Sequence, residues 1–240
     1  MDFGLSEDQR LFQQALRGYL AEHVPMARVR ALMESDDGHD PALVRELGAQ
    51  GVTGILIRAE EGGVGLGLLD AAVVAEELGR AVTPYSFFSA AVLAPLALSA
   101  SGTDEQRARW LHLLGTGETV LSLASPAPAV RGGRLDGTVR FVPDAHVADA
   151  FVVVAGNEAR PELLLVPRDT PGLSVAALAT VDATRRVSEL VFDGLSITDA
   201  MRMRTDVSAL DVERVVDAGR IVLAADALGA AERGLELAVE

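Results

Sequence analysis

TVLSLASPAPAVRGGRLDGTVRFVPDAHVADAFVVVA, residues 119–155, is where the period of the chain changes. Before it, apolar residues recur every three or four positions; within it they alternate or form short runs bounded by Pro and Gly, the marks of strands. Strands are expected at 120–123, 134–141 and 151–155, then at 163–166, 173–177 and 187–192, the spacing of a small barrel or sandwich. The fold class is therefore α+β. An all-α domain (1–117) precedes a β-barrel or sandwich domain (118–205), and residues 206–240 open a further helical domain.

Outward from this stretch the helix signals are local. Ser6 and Gln9 form a capping box before Phe12, Ala15, Leu16, Tyr19 and Leu20, which share a face until Pro25. Asp40-Pro41 opens a second helix ended by Gly51. Glu60–Gly67 reads as a mobile glycine turn, followed by a helix over 68–78 closed by Gly79. Helices are expected over 86–100 and, behind the Thr103/Gln106 capping box, over 104–114, ended by Gly115. Residues 211–240 lack Gly-Pro breaks, repeat Ile221, Leu228 and Leu235 on one face, and show no C-cap signal.

Composition excludes several function classes. The chain has 240 residues, no cysteine and no lysine, so disulfides and thiolate metal sites are ruled out, in keeping with a cytoplasmic protein. A formal charge of −14 argues against nucleic acid or an anionic membrane as the main partner. No apolar stretch is long enough for a membrane span, since the longest, 90–100, is interrupted by Pro95. His23, His39, His112 and His146 lack metal-ligand spacing, and there is no G-x-S-x-G elbow of a hydrolase.

The run Glu60-Glu-Gly-Gly-Val-Gly-Leu-Gly-Leu-Leu-Asp-Ala-Ala-Val-Val-Ala-Glu-Glu-Leu-Gly-Arg80 resembles the glycine turn and following helix of the acyl-CoA dehydrogenase family. Gly102–Leu111, Gly115–Glu118, Ala148-Asp149, Asp182–Arg186 and Arg220–Ala238 resemble further family segments, in the right order over the whole chain. The resemblance implies FAD bound between the β domain and a C-terminal helical bundle, of which 206–240 would be the first long helix. It implies an acyl-CoA substrate oxidised to the 2-enoyl-CoA, a carboxylate that removes the α-proton, a hydride passed to flavin N5, and electrons passed on to an electron-transferring flavoprotein. It also implies a homo- or hetro-oligomer with another such subunit.

Several expected parts are changed in this sequence. The family's flavin loop runs approximately Thr-Glu-Pro-Gly-Ala-Gly-Ser-Asp; Ala124-Ser-Pro-Ala-Pro-Ala-Val-Arg131 stands in its place and clearly keeps only Pro126. The resemblance assigns cofactor contacts to Leu123, Ala124, Ala129, Val130, Phe141 and Pro143. Phe141 would stack near the flavin, whereas Pro143 replaces a threonine and offers neither hydroxyl nor backbone N–H. Without the resemblance the same residues read as ordinary β-domain core. An acyl pocket would be lined by Phe88, Ser89, Val92 and Leu96, whose spacing equally fits a buried helix face.

No catalytic residue is assigned firmly. Family members place the base either immediately before the arginine that opens a C-terminal-domain helix, which puts Gly219 there, or far downstream, which lies beyond Glu240; a competing register nominates Glu213, at a position that otherwise reads as a solvated helix face. Arg185-Arg186 would meet a phosphate of cofactor or CoA, or pair with Asp182 in a surface turn. The preferred reading is a flavin-dependent acyl-CoA dehydrogenase or a subunit of one, its remaining bundle lying beyond Glu240 or supplied by a partner. The alternative is a non-catalytic partner or binding subunit that has lost its own FAD site; a flavin monooxygenase on this scaffold is a third reading.

Overall fold

The computed structural model describes residues 4–125, 129–157, 160–204 and 208–239. Six α-helices come first: α1 (Glu7–His23), α2 (Met26–Glu34), α3 (Pro41–Ala49), α4 (Leu68–Arg80), α5 (Ala94–Ser101) and α6 (Asp104–Thr116). Both capping boxes read from sequence are formed, with Ser6 Oγ accepting from Gln9 N at 3.1 Å and Thr103 Oγ1 from Gln106 N at 3.2 Å. Helix α2 follows Pro25 and was not expected; its single buried side chain, Val29, gives too short an apolar signal.

Four local expectations are corrected. Helix α4 runs through Gly79 to Arg80, and α6 runs through Gly115 and is capped by Gly117 in the left-handed region. The 60–67 turn is not loose, because Val64, Gly65 and Leu66 donate their N–H groups to the carbonyls of Gly54, Ile57 and Ile55. The helix expected over 86–100 splits into a π-helical stretch, Phe87–Leu93, and α5. Pro95 cannot donate a backbone hydrogen bond to the preceding turn, so the wider winding ends where it enters.

Seven strands follow among the described residues. A three-stranded sheet is ordered β1 (Leu121–Ala124), β4 (Ala150–Asn157), β5 (Arg160–Pro167); a four-stranded antiparallel sheet is ordered β2 (Ala129–Arg131), β3 (Arg134–Pro143), β7 (Val187–Ser196), β6 (Leu173–Ala177). The smaller sheet is covered on both faces. Val152, Val154, Leu163 and Leu165 pack on α5 and α6, while Phe151, Val153, Ala155, Leu164 and Val166 meet Leu135, Val139, Leu190 and Phe192 of the other sheet. That double burial explains why 151–155 is a continuous apolar run, whereas β7, with one face toward solvent, alternates. Strand β2 falls in the segment expected to be a loop.

Helix α7 (Ala209–Val239) returns along the helical domain and packs on α4. The two backbones approach so closely that a Cβ on Gly79 would lie 2.0 Å from the Asp226 carbonyl oxygen, and one on Gly229 would lie 1.8 Å from that of Glu76. Gly79 is thus a packing residue and not a helix stop. Across the adjoining α1–α4 contact, Arg17 Nη2 holds Glu77 Oε1 at 2.6 Å, and the Glu77 carboxylate is almost fully buried.

Candidate functional site

Where the helical domain, the larger sheet and α7 meet, a cleft of about 280 Å³ opens among Tyr85, Phe88, Phe141, Pro143, Arg185 and Val222, with Asp144, Leu223 and Asp226 also at its wall. Local sequence builds each side. Residues 140 and 141 of β3 face the single residue 189 of β7, a bulge that holds Phe141 in the left-handed region at φ +59° and leaves it 71% exposed. Asp144, three residues on, also has positive φ, at +54°. Two non-glycine residues in this region within four positions mark a backbone held by its surroundings, an arrangement that gathers at functional sites. Opposite them, the π-helical turn brings Phe88 to the cleft floor, against Gly219 of α7.

The cleft's charged groups are already engaged. Arg185 donates from Nη1 to the Thr83 carbonyl at 2.7 Å and from Nη2 to Asp226 Oδ1 at 2.8 Å, tying the sheet to the helical domain and to α7. Arg186 turns away, donating from Nη2 to the Ser35 carbonyl at 2.7 Å, and from Nη1 to the carbonyl of Asp36. Neither arginine takes the Asp182 pairing or the open phosphate-facing posture read from sequence; Asp182 accepts from Thr184. Burial pushes the Asp144 carboxyl up to about 6 despite a hydrogen bond from Ser86 and the nearby Arg185 charge. The Tyr85 hydroxyl is likewise raised, by burial first and by Asp144 second.

The sequence-derived site residues separate. Phe88, Phe141 and Pro143 come together at the cleft. Ser89 is buried with its hydroxyl on the Leu121 carbonyl at 3.3 Å, Val92 lies in the helical-domain core, and Leu96 packs partly buried between two cores. Leu123 and Ala124 are core residues on opposite faces of β1; Ala129 is exposed, and Val130 rests partly against the inter-sheet core. Glu213 is exposed on α7. Residues 126–128, including Pro126, lie outside the described residues. Sequence reasoning missed Tyr85 and Asp144, since no residue pattern announces side chains whose environment is set by separate elements; Asp226, which reads from sequence as a surface or interhelix charge, pairs with Arg185.

Residues 6–118 match the acyl-CoA dehydrogenase N-terminal domain family. The chain is 34% identical over 235 residues, 98% of its length, to the acyl-CoA dehydrogenase IpdE2 of Mycobacterium tuberculosis, and 30% identical over 222 residues to the acyl-CoA dehydrogenase FadE27 of the same organism. This chain belongs to the acyl-CoA dehydrogenase family. Its fold matches a chain of the Mycobacterium tuberculosis ChsE4–ChsE5 complex with a TM-score of 0.88 and 27% identity, covering 99% of this chain and 67% of that one. The chain spans 63% of the length of IpdE2 and 58% of that of FadE27.

Acyl-CoA dehydrogenases are FAD flavoproteins, and the described residues do not fit that cofactor as a complete cradle. On the sheet side the Ser122 hydroxyl, the nearest side-chain donor on β1, is spent on the Pro143 carbonyl at 2.6 Å. Pro143 has no N–H to give, and Leu123 and Ala124 are turned into the core. The buried hydroxyls of Thr83 and Ser188 that have no partner do not line the cleft. What remains is aromatic and apolar surface, chiefly Phe141 and Phe88. A flavin needs donors and acceptors around its ring edge as well as a face to stack on; among the described residues the face is Phe141 and Phe88, while Arg185 and Asp226 are engaged with each other and Arg185 also with the Thr83 carbonyl.

Proposed function

We propose that this chain is a subunit of a flavin-dependent acyl-CoA dehydrogenase, an assembly that oxidises an acyl-CoA thioester to the 2-enoyl thioester and passes electrons to an electron-transferring flavoprotein. In this reading the competent flavin site and the proton-abstracting carboxylate stand on a partner subunit. The carrying observation is the contact at Gly219, the position where one family register places the base. A Cβ there would lie 2.6 Å from Phe88 Cε2 and 2.7 Å from Leu93 Cδ2, so the place for a carboxylate side chain is filled by apolar groups. The spent donors on the sheet side support the same assignment. A cytoplasmic location belongs to the reading and is supported by the absence of cysteine; no helix among the described residues is long and apolar enough to cross a membrane. The solved ChsE4–ChsE5 complex is a two-component relative of the kind this reading requires.

The test is to purify the chain alone and co-expressed, in turn, with full-length acyl-CoA dehydrogenase chains from the same genome. The expected result is a colourless protein alone and a yellow heteromer whose flavin band bleaches with an acyl-CoA. A stoichiometric flavin band on the chain alone, or failure of every heteromer to form, counts against the reading.

A further inference from the structure

The hairpin Arg131-Gly-Gly-Arg134 sets two like charges against each other. Strands β2 and β3 pair with Arg131 directly opposite Arg134, and the two-residue turn between them, Gly132 at φ +56° and Gly133 at φ +74°, fixes that register. Directly opposite residues of an antiparallel pair point to the same face, with Cβ atoms about 5 Å apart. Here it is the solvent face, because the neighbouring positions Val130 and Leu135 turn toward the inter-sheet core. One strand further on, exposed Ser196 of β7 stands opposite Arg134, so the row Arg131, Arg134, Ser196 crosses three strands. Neither arginine makes an ion pair or a side-chain hydrogen bond among the described residues. By contrast Arg140 pairs with Glu189, Arg185 with Asp226, and Arg168 and Arg186 donate to backbone carbonyls. Asp136, on the same face as Arg134, accepts from the Gly194 N–H at 2.8 Å. The fold does not account for the pair, since like charges directly opposite destabilise a hairpin. A charge on β2, the edge of the sheet, guards against edge-to-edge pairing, but Arg134 stands on the inner strand β3.

We propose that Arg131 and Arg134 are an ionic anchor on the open face of the larger sheet, and that it receives carboxylates carried on one acidic segment of the partner subunit. The proposal rests on the subunit reading above. The chemistry fits, because a guanidinium fork meets a carboxylate bidentately and Ser196 adds a hydroxyl at the end of the row. The setting selects a protein chain over a small anion. On an open sheet face water and salt screen a lone ion pair, whereas a chain that covers the face excludes both and strengthens the pairing. Charge selects further: a formal −14 repels nucleic acid, and a second copy brings the same −14 with it. A different subunit needs only a local acidic segment.

The absence of lysine makes the test specific. Arg134→Lys keeps the positive charge and gives the chain a single side-chain amine. A carbodiimide, which joins an amine to a carboxylate in direct contact, is applied to the heteromer carrying Arg134→Lys, and peptide mass spectrometry reads the products. The expected result is a crosslink from position 134 to an Asp or Glu of the partner subunit, absent when Arg45→Lys places the amine at an exposed position of α3. Arg131→Glu with Arg134→Glu should slow heteromer association about tenfold or more at low salt, the difference shrinking as salt is added; circular dichroism verifies that the variants are folded. In an assembled heteromer, a crosslink from position 134 only within the chain or to a second copy, no crosslink there, or association indifferent to the charge reversal would each overturn the proposal and leave the subunit reading standing. No heteromer with the unmodified chain defeats both.

Discussion

Gly219 of α7 lies under the ring of Phe88, with room for a hydrogen and not for a methyl group: a Cβ at 219 would approach Phe88 Cε2 to 2.6 Å. Gly219→Ala should therefore destabilise the protein by about 1–3 kcal/mol through overpacking, although alanine is ordinarily the better helix former. Phe88→Ala in the same chain should recover part of that loss, the rest being set by Leu93 Cδ2 at 2.7 Å, and give a coupling energy above the few tenths expected of independent sites. Urea denaturation of the four proteins measures the cycle, and strict additivity would show that the ring does not set the limit.

The crossing of α4 and α7 makes a sharper claim about sign. Gly79→Ala and Gly229→Ala replace helix-interior glycines, a change that on an exposed helix stabilises by about 1 kcal/mol. Here each added methyl would meet a backbone carbonyl, of Asp226 and Glu76 respectively, which cannot rotate away. Each variant should lose roughly 3 kcal/mol or more, and the cleft wall formed by Val222 and Asp226 should shift with α7. A rise in melting temperature for either variant would contradict the packing described.

Arg17 and Glu77 form an asymmetric pair, with the carboxylate 1% exposed and the guanidinium 47% exposed. Removing the arginine strands a buried charge, whereas removing both leaves apolar surface on apolar surface. Arg17→Leu should cost on the order of 2–3 kcal/mol, discounted for the exposure of the arginine, and Arg17→Leu with Glu77→Leu should be closer to the unmodified protein. Guanidinium is ionic and would screen the pair, so urea melts are the appropriate measurement.

Much of the architecture was legible because it rests on local signals. Ser6/Gln9 and Thr103/Gln106 are complete within four residues, and the switch of period at 119 places the β domain. Gly79 and Gly115 do not end their helices: a glycine that permits close approach of another backbone, that of α7 at Gly79 and that of Gly62 at Gly115, looks the same in sequence as one that ends a helix. The site was less legible still. Phe88, Phe141 and Pro143 were reached through family resemblance, but Asp144 and Arg185 acquire their surroundings from Ser86, Thr83 and Asp226, contributed by elements 40 or more positions away in the chain. Leu123 and Ala124 show the converse: adjacency to a flavin loop in sequence says nothing about which way a strand residue points.

Asp144 gives the protein a pH dependence opposite to that of a salt-bridged aspartate. Burial raises its folded-state pKa from 3.8 to about 6, so the folded protein binds the proton more tightly than the unfolded chain does. The contribution to stability is fully present below the ordinary carboxylate value and is lost as pH rises through about 6. Arg185 limits the loss without cancelling it, because that guanidinium is shared with Asp226 and the Thr83 carbonyl. Asp144→Asn keeps an acceptor for Ser86 and cannot ionise. It should raise stability at pH 7–8 by on the order of 1–3 kcal/mol relative to the unmodified chain, with the two converging near pH 4. Urea midpoints from pH 4 to 8 check this, and parallel profiles for the two proteins would show that Asp144 does not titrate in that window.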